Sequence, residues 1–262
     1  MTTYRGKRIL NTKMTRIILK ASDVAAIIGR NQYKPRHEVL NELWKKHRPD
    51  TFIGKTKKDQ AEETLKMSLD AQRVLDSAVK IQTKSSDEVQ KVFREAQQKV
   101  NLDSKLNETQ KAEVIEHIRS KVYTNHGTRT EDRTAEKVVA DTGVRLERDD
   151  AFHTLPICQL DDNNYVIVGK VDRIEVAPDG SRTLVEIKNR TNRLFRRVVD
   201  YENIQIQVYL QMLGLVHARL VEQYNNQVAT HNVDRDEELW ANEVIPKLKE
   251  FCAELNECLR DV

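Results

Sequence analysis

The chain has 262 residues, of which 39% are hydrophobic and 32% are charged, and its mean hydropathy is -0.66. It is long enough for one large domain or two small ones, and it is too apolar for a disordered protein. No apolar run approaches the roughly 20 residues that span a bilayer, so we expect no membrane contact, and residues 1–20 lack the apolar core of a secretion signal. Three cysteines without close pairing are typical of a reducing compartment. We therefore predict an intracellular protein, not secreted, in the cytoplasm or nucleus of a host cell.

The net charge of +3 conceals an uneven distribution of charged residues. Residues 1–20 contain six basic residues and no acidic one, and residues 181–197 contain six basic residues and one acidic residue. Such segments favour contact with a polyanion, because phosphate contacts dominate nucleic-acid affinity. The alternative is a solvated surface without a partner.

The first predicted elements in chain order are helices. Ser22 and Asp23 are candidate side-chain caps for a helix over residues 24–28 that ends at a left-handed Gly29, and a second helix covers residues 35–46. Residues 55–123 contain no glycine or proline and repeat apolar residues at helical spacing. Candidate N-caps within this stretch are Ser85, Ser86, Asp87 and Asn107. We therefore divide the chain into residues 1–54, a helical insertion over residues 55–125, and a core over residues 126–262.

The core alternates between helix and strand. Its predicted elements are a helix over residues 127–141 that ends at Gly143, strands over residues 144–146, 151–153, 165–176 and 183–188, a helix over residues 201–213, strands over residues 219–224 and 227–233, and a helix over residues 237–259. A turn at residues 178–180 joins the third and fourth strands as a hairpin. This order favours an α/β (α+β) fold over a helical bundle.

Three charged residues in the hairpin form a candidate catalytic group. Glu186 and Lys188 share one face of their strand, and a hairpin centred on Asp179 places Asp172 opposite Glu186. Two carboxylates so close together are costly unless a cation separates them, and a hard divalent ion such as Mg²⁺ prefers oxygen ligands. Lys188 would then orient or deprotonate the attacking water, or stabilise charge on a phosphate.

A third carboxylate lies in the helix that precedes the strands. Glu131 falls on the apolar face of that helix, with Ala135 and Val138 at the next helical positions. An acid on a buried face needs a partner, and a metal ion held by Asp172 and Glu186 would provide one. The alternative for the whole group is an ordinary cross-strand ladder of salt bridges.

Several blocks of sequence resemble the PD-(D/E)xK nuclease superfamily, and within it the lambda-exonuclease-like (YqaJ-type) nucleases of viral recombination. The blocks occur in the order expected for that group. They are residues 21–29 with Tyr33, Gly127 to Glu131, Gly169 to Asp172, Glu186 to Lys188, and Gln205 to Tyr209. The insertion over residues 55–125 has no counterpart in this pattern.

The resemblance implies a restriction-endonuclease-like core, with a mixed central sheet flanked by helices, that hydrolyses DNA with Mg²⁺ or, as a substitute, Mn²⁺. Asp172, Glu186 and Lys188 would be catalytic, and Glu131, Asp172 and Glu186 would bind the metal. The residues expected to contact DNA are Arg16, Ser22, Arg190, Arg193, Gln205 and Tyr209.

The function that follows from the resemblance is 5′→3′ exonuclease activity on linear duplex DNA in viral recombination or replication. The alternatives are a structure- or sequence-directed endonuclease and a non-catalytic DNA-binding recombination protein with the same fold. The partners it implies are DNA, a single-strand annealing or recombination protein, and further copies of the chain in a homo-oligomer.

Overall fold

The computed structural model describes residues 14–260. The predicted basic segment therefore lies largely outside the described residues, and Arg16 and Lys20 are its described basic members. The described strands are β1 (Thr15–Lys20), β2 (Arg145–Arg148), β3 (His153–Leu160), β4 (Asn163–Gly169), β5 (Arg173–Val176), β6 (Arg182–Asn189), β7 (His217–Tyr224) and β8 (Gln227–Asp234). The described helices are α1 (Val24–Ile27), α2 (Arg36–His47), α3 (Lys57–Met67), α4 (Leu69–Lys80), α5 (Ser86–Asn101), α6 (Glu108–Thr142), α7 (Asp200–Leu213), α8 (Glu237–Leu239) and α9 (Ile245–Leu259).

The strands form two mixed sheets. The first sheet has the order β1-β4-β3, with β1 parallel to β4 and β3 antiparallel to it. The second has the order β2-β5-β6-β7-β8, in which β6 and β7 are parallel and the other pairs are antiparallel. The predicted α/β fold class is confirmed, with helices packed around both sheets.

The predicted strand over residues 165–176 is wrong in one respect, because it is two strands that belong to different sheets. β4 ends at Gly169, the chain crosses over at residues 170–172, and β5 begins at Arg173. Val171 is buried in the main core at this crossing. Asp172 therefore lies at the junction of the two sheets and outside both strands. The alternation of side chains along a strand does not determine its orientation.

The hairpin of β5 and β6 has the predicted register. Ile174 pairs with Leu184 and Val176 pairs with Arg182, so the hairpin is centred on Asp179 as the sequence indicated. Asp179 accepts a hydrogen bond from the Ser181 backbone at 2.9 Å, which closes the turn.

Two local predictions in the N-terminal part need correction. β1 was not predicted, because its three consecutive apolar residues give no alternating pattern and its basic residues suggested a surface segment. The predicted side-chain cap of α1 is also absent: a single 3-10 turn over Ala21–Asp23 leads into the helix, and neither candidate side chain caps it. Gly29 does adopt the left-handed conformation, with φ of 78°.

The long helix α6 links the helical region to the sheets. It has 35 residues and begins at the predicted cap Asn107, whose side chain accepts a hydrogen bond from the Gln110 backbone at 2.9 Å. It runs without a break through residues 125 and 126, where we divided the chain. Its N-terminal half packs with α3, α4 and α5 around a separate apolar cluster that includes Val89, Val114 and Ile118. The three-part division of the chain stays a prediction, and its second boundary falls inside this helix.

The helical region is attached to the end of β6. The Ser86 hydroxyl donates to the Arg190 carbonyl at 2.7 Å, and the Thr134 hydroxyl donates to Asn189 Oδ1 at 2.6 Å. Asn189 Nδ2 also donates to the Gly127 carbonyl at 3.2 Å. These bonds fix α5 and α6 relative to the strand that carries Glu186 and Lys188. Within the described residues, none of the helices combines the length and the apolar character that crossing a bilayer requires.

Candidate active site

Asp172, Glu186 and Lys188 lie together at the junction of the two sheets. The Ile187 backbone amide donates to Asp172 Oδ2 at 2.7 Å, so the Asp172 carboxylate is held against β6 beside Glu186. Lys188 Nζ donates to Glu186 Oε1 at 2.8 Å. The hairpin register and the strand alternation that we read from the sequence account for this placement.

Helix α7 contributes Gln205 and Tyr209 to this group. Gln205 Oε1 accepts from Lys188 Nζ at 3.3 Å, and Gln205 Nε2 donates to Glu186 Oε1 at 3.1 Å and to the Tyr209 hydroxyl at 3.2 Å. Gln205 and Tyr209 are four residues apart and therefore share one face of the helix. Gln205 thus orients both the carboxylate and the ammonium group through one amide.

One carboxylate oxygen of the group has no partner. Glu186 is 3% exposed, its Oε1 accepts two hydrogen bonds, and its Oε2 is buried without any. A buried polar atom without a partner costs about 1–3 kcal/mol, so such atoms are rare in folded proteins. The chemistry of this oxygen suits a hard divalent cation, and Asp172 is the second oxygen donor beside it.

The electrostatics of the group follow from its burial. Burial and the neighbouring Glu186 carboxylate raise the pKa of Asp172 well above its usual range, against the opposing effect of Lys188. Burial disfavours the charged form of Lys188, but the carboxylates of Glu186 and Asp172 outweigh it and raise the pKa of this ammonium group. Lys188 is therefore protonated at neutral pH.

Glu131 lies near the group but is held by another residue. Arg173 Nη1 donates to Glu131 Oε1 at 2.7 Å, and its Nη2 donates to Asp132 on the same helix. The negative charge of Glu131 contributes to the raised pKa of Asp172. Among residues 14–260, no set of three or more His, Cys, Asp or Glu side chains is arranged to hold a metal ion. The structure thus brings Asp172 and Glu186 together and places the predicted third ligand on Arg173.

Gly169 allows the two sheets and α7 to meet. A Cβ at this position would lie 2.5 Å from Tyr209 Cε1 and 2.8 Å from the Ala21 Cβ, which is closer than carbon atoms can approach. The absence of a side chain therefore lets the Tyr209 ring and the 3-10 turn of residues 21–23 pack against β4. Ser22 follows Ala21 in this turn and is exposed.

The sequence model of the PD-(D/E)XK nuclease superfamily matches residues 36–261. The chain belongs to this superfamily. The predicted superfamily is therefore confirmed. The predicted block over residues 21–33 lies outside the matched range. Among curated proteins, none matches the sequence significantly.

Solved structures with a similar fold are distant from this nuclease. The protein SSO0001 is 13% identical with a TM-score of 0.39, covering 71% of this chain and 85% of its own. An alkaline exonuclease from Laribacter hongkongensis is 17% identical with a TM-score of 0.42, covering 76% of this chain and 94% of its own. A phage-related exonuclease from Haemophilus somnus 129PT is 16% identical with a TM-score of 0.36, covering 52% and 70%. Similarity at this level carries no information on the activity of the present nuclease.

The residues predicted to contact DNA occupy different environments in this nuclease. Ser22 and Arg193 are exposed, and Gln205 and Tyr209 belong to the site itself. Arg16 is exposed and lies about 13 Å along β1 from Lys20, at the opposite end of the strand. It donates to Thr154 Oγ1 at 2.9 Å.

Arg190 requires a correction, because it is buried and its guanidinium is fully engaged. Its Nη2 donates to Glu202 Oε2 at 2.8 Å and its Nε donates to Glu222 Oε1 at 2.7 Å, while the guanidinium stacks over the Phe195 ring at 4.0 Å. A side chain in this setting is not available to a phosphate. The prediction that Arg190 contacts DNA relied on its position just after Lys188, but its side chain points into the interior.

Two residues that position the site, Arg173 and Asn189, were not predicted from the sequence. Arg173 holds Glu131, and Asn189 fixes α6 against β6. Asn189 could have been found from the alternation along β6, because it follows Lys188 and points to the opposite face of the strand. No such signal indicates Arg173, because Asp172 precedes β5 and lies outside the strand. The burial of Glu222 was also not predicted, because nothing in its local sequence indicates that it lies in the interior.

Proposed function

We propose that this nuclease is a Mg²⁺-dependent deoxyribonuclease, a 5′→3′ exonuclease on linear duplex DNA that serves viral recombination or replication inside a host cell. The observation that carries the proposal is the buried, unpartnered Oε2 of Glu186 beside Asp172 and Lys188. An oxygen left without a hydrogen bond at this position is best explained by a ligand that the site is built to receive.

Asp172 and Glu186 would hold the divalent cation, with Mn²⁺ able to replace Mg²⁺. The cation, when bound, supplies charge that polarises the scissile phosphate. Glu131 would join as a third ligand through its Oε2, because its Oε1 accepts from the Arg173 guanidinium.

Lys188 would act on the phosphate as a hydrogen-bond donor. Its ammonium group is held by Glu186 Oε1 and Gln205 Oε1, which leaves a third proton on Nζ for a non-bridging oxygen of the substrate. Because its pKa is raised, the group keeps this proton and stabilises the negative charge that develops during hydrolysis. Gln205 and Tyr209 would hold the side chains of Lys188 and Glu186 in their orientations.

Preference for a 5′ end would come from Ser22. Ser22 is exposed and follows Ala21, whose Cβ lies close to Gly169. A terminal phosphate bound there would place the first phosphodiester bond at the catalytic group. A single-strand annealing or recombination protein and further copies of this chain are the partners that we propose for such an enzyme.

The decisive experiment is digestion of end-labelled linear duplex DNA by the wild type and by Asp172→Asn in Mg²⁺. We expect the variant to lose at least about a hundred-fold in rate while still binding DNA, because the charge beside Glu186 is removed and the shape is kept. Undiminished cleavage by Asp172→Asn would contradict the site assignment. A gel shift without cleavage of any DNA by the wild type would favour the non-catalytic alternative.

Two substrates separate the remaining alternatives. Covalently closed circular duplex should resist the enzyme, and its cleavage would favour an endonuclease. Linear duplex with a 5′-phosphate should be digested faster than duplex with a 5′-hydroxyl, and Ser22→Ala should remove this difference. Equal rates on both ends in the wild type would contradict the proposed role of Ser22.

A further inference from the structure

A large cleft opens beside the catalytic group. It has a volume of about 1010 Å³ and lies between residues 29–33, which follow α1, and residues 193–201, which follow β6 and begin α7. The side chains that matter for its chemistry are Tyr33, Arg193, Arg197 and Tyr201.

The cleft lies one helical turn from the site along α7. Tyr201, Gln205 and Tyr209 follow one another at intervals of four residues, so they lie along the same face with a rise of about 6 Å between neighbours. Gln205 contacts Glu186 and Lys188, and Tyr201 lines the cleft. A DNA strand bound at the catalytic group would therefore have to extend by about one helical turn along α7 to reach the cleft.

The charge of the cleft is positive. Arg193 and Arg197 are exposed, and within residues 14–260 neither of them pairs with a carboxylate. The one acidic residue in the lining, Asp200, is paired with Arg30 at 3.0 Å, and Arg30 also binds Glu243 through two hydrogen bonds of 2.8 and 2.5 Å. Two arginines thus remain available to an anion.

An exposed aromatic ring forms the other wall. Tyr33 is 68% exposed, and its ring meets the ring of Tyr201 edge to face, with centroids 5.7 Å apart. The Asn31 side chain accepts from the Tyr33 backbone amide at 2.9 Å, which fixes the loop that presents the ring. A large aromatic side chain held in place with its surface open to solvent is a platform for a flat ligand.

The opposite wall is also held rigidly. The backbone amides of Phe195 and Arg196 donate to the two oxygens of the buried Glu222, at 3.1 and 2.8 Å. Arg196 has a φ of 56°, a left-handed conformation that these bonds stabilise. The loop therefore presents Arg193 and Arg197 on a fixed backbone.

We propose that this cleft binds an unpaired stretch of the DNA strand adjoining the scissile phosphate, with a base stacked on Tyr33 and the backbone phosphates bound by Arg193 and Arg197. Stacking on an aromatic side chain requires a base released from the duplex, and arginines along the path of the backbone supply the affinity. The cleft is thus a single-strand subsite of the nuclease. This inference rests on the proposed function, because it takes DNA as the substrate.

Binding of a short oligothymidylate that carries one 2-aminopurine tests the subsite without catalysis. The full chain is titrated in EDTA, with the oligonucleotide checked for integrity on a gel, and both affinity and 2-aminopurine quenching are recorded over a range of salt. The variants are Tyr33→Ala, Tyr33→Phe, Arg193→Ala and Arg197→Ala. Arg73→Ala is the matched control, since this arginine is 77% exposed on α4, away from the cleft.

Tyr33→Ala should weaken binding about ten-fold and abolish the quenching, and Tyr33→Phe should preserve both, because stacking needs the ring and not the hydroxyl. Arg193→Ala and Arg197→Ala should each reduce the slope of log affinity against log salt by about 0.7, which is the value for one phosphate of a single strand. Arg73→Ala should change neither quantity.

Wild-type affinity and quenching in Tyr33→Ala would overturn the proposal, as would an unchanged salt slope in both arginine variants. An equal loss of blunt-duplex binding in Tyr33→Ala would also overturn it, because the cleft would then not distinguish unpaired bases. These binding measurements are independent of cleavage. A chain that never hydrolyses DNA would refute the proposed function while leaving the subsite test intact.

Discussion

Glu186 and Glu222 lie on neighbouring parallel strands, β6 and β7, yet their surroundings are opposite in kind. Both are almost completely buried, at 3% and 0% exposure, and Glu222 pairs in register with Lys188. Each oxygen of Glu222 accepts at least two hydrogen bonds, from Arg190 and Phe195 on one side and from Arg196 and His231 on the other. Glu186 Oε2 accepts none. Glu222, with both oxygens hydrogen-bonded, contributes to the stability of the fold, whereas the free oxygen of Glu186 is available to a ligand.

The pKa values of Glu222 and Asp172 are shifted in opposite directions. Burial works to raise the pKa of Glu222, but the hydrogen bond from His231 and the charge of Arg190 outweigh it and lower the pKa. At Asp172, burial and the Glu186 carboxylate raise the pKa. The charged form of Glu222 is therefore favoured by its partners, whereas the charged form of Asp172 is disfavoured by burial and by Glu186, and a cation would relieve that repulsion.

The same substitution at the two glutamates should separate activity from stability. Glu186→Gln should lower the cleavage rate at least about a hundred-fold, because the charged oxygen that we propose for the cation is replaced by a neutral amide. Its melting temperature should stay within about 4 °C of the wild type, since the loss of the Lys188 ion pair is offset by relief of repulsion with Asp172. Cleavage assays with calorimetry measure both quantities, and full activity of Glu186→Gln would contradict the comparison.

Glu222→Gln should destabilise the protein by about 3 kcal/mol, because it leaves Arg190 and two backbone amides of the loop with a poorer acceptor in the interior. Denaturant unfolding measures the loss. The activity of the fraction that remains folded should fall far less than that of Glu186→Gln, because Glu222 acts only through the loop that carries Arg193 and Arg197. A stable but inactive Glu222→Gln would mean that this cluster takes part in catalysis, and our distinction between the two regions would be wrong.

Gly169→Ala probes the contact that joins the sheets to α7. The added methyl would overlap the Tyr209 ring and the Ala21 side chain, so we expect a loss of about 1–3 kcal/mol in the free energy of unfolding. Cleavage should fall as well, since Tyr209 would shift and draw Gln205 from Glu186. Gly127→Ala is the matched control, because a Cβ there meets no atom within 4 Å and the helix gains stability. Equal stability of the two variants would contradict the close approach at Gly169.

The smallest expected effect is a difference in pH dependence, measured in EDTA by denaturant unfolding. The raised pKa of Asp172 stabilises the fold while the group is protonated, so the stability of the wild type relative to Asp172→Asn should fall as pH rises above the ordinary value of 3.8. The lowered pKa of Glu222 acts in reverse: the stability relative to Glu222→Gln should be present above 4.5 and should fall as pH decreases below it. Trends of the same sign would contradict the assignment of the two carboxylates.

The sequence by itself determined the elements that depend on local pattern. The apolar spacing of the helices, the turn centred on Asp179 and the alternation along β6 are local properties, and they were sufficient to bring Asp172 opposite Glu186 and Lys188. The order of the sequence blocks indicated the superfamily, which the match over residues 36–261 establishes.

Only the tertiary structure decided how the charged residues are partnered. Glu131 was assigned to a metal ion from its place on the apolar face of its helix and from the resemblance, and Arg190 was assigned to DNA from its position after Lys188. In the folded chain Arg173 binds Glu131, and Glu202 and Glu222 bind Arg190. The division of residues 163–176 between two sheets and the passage of α6 through a predicted boundary are equally non-local. The reason is physical: the partner of a buried charge is chosen by distance in space, and residues that are 12, 32 or 42 positions apart become neighbours only when the sheets and α6 pack together.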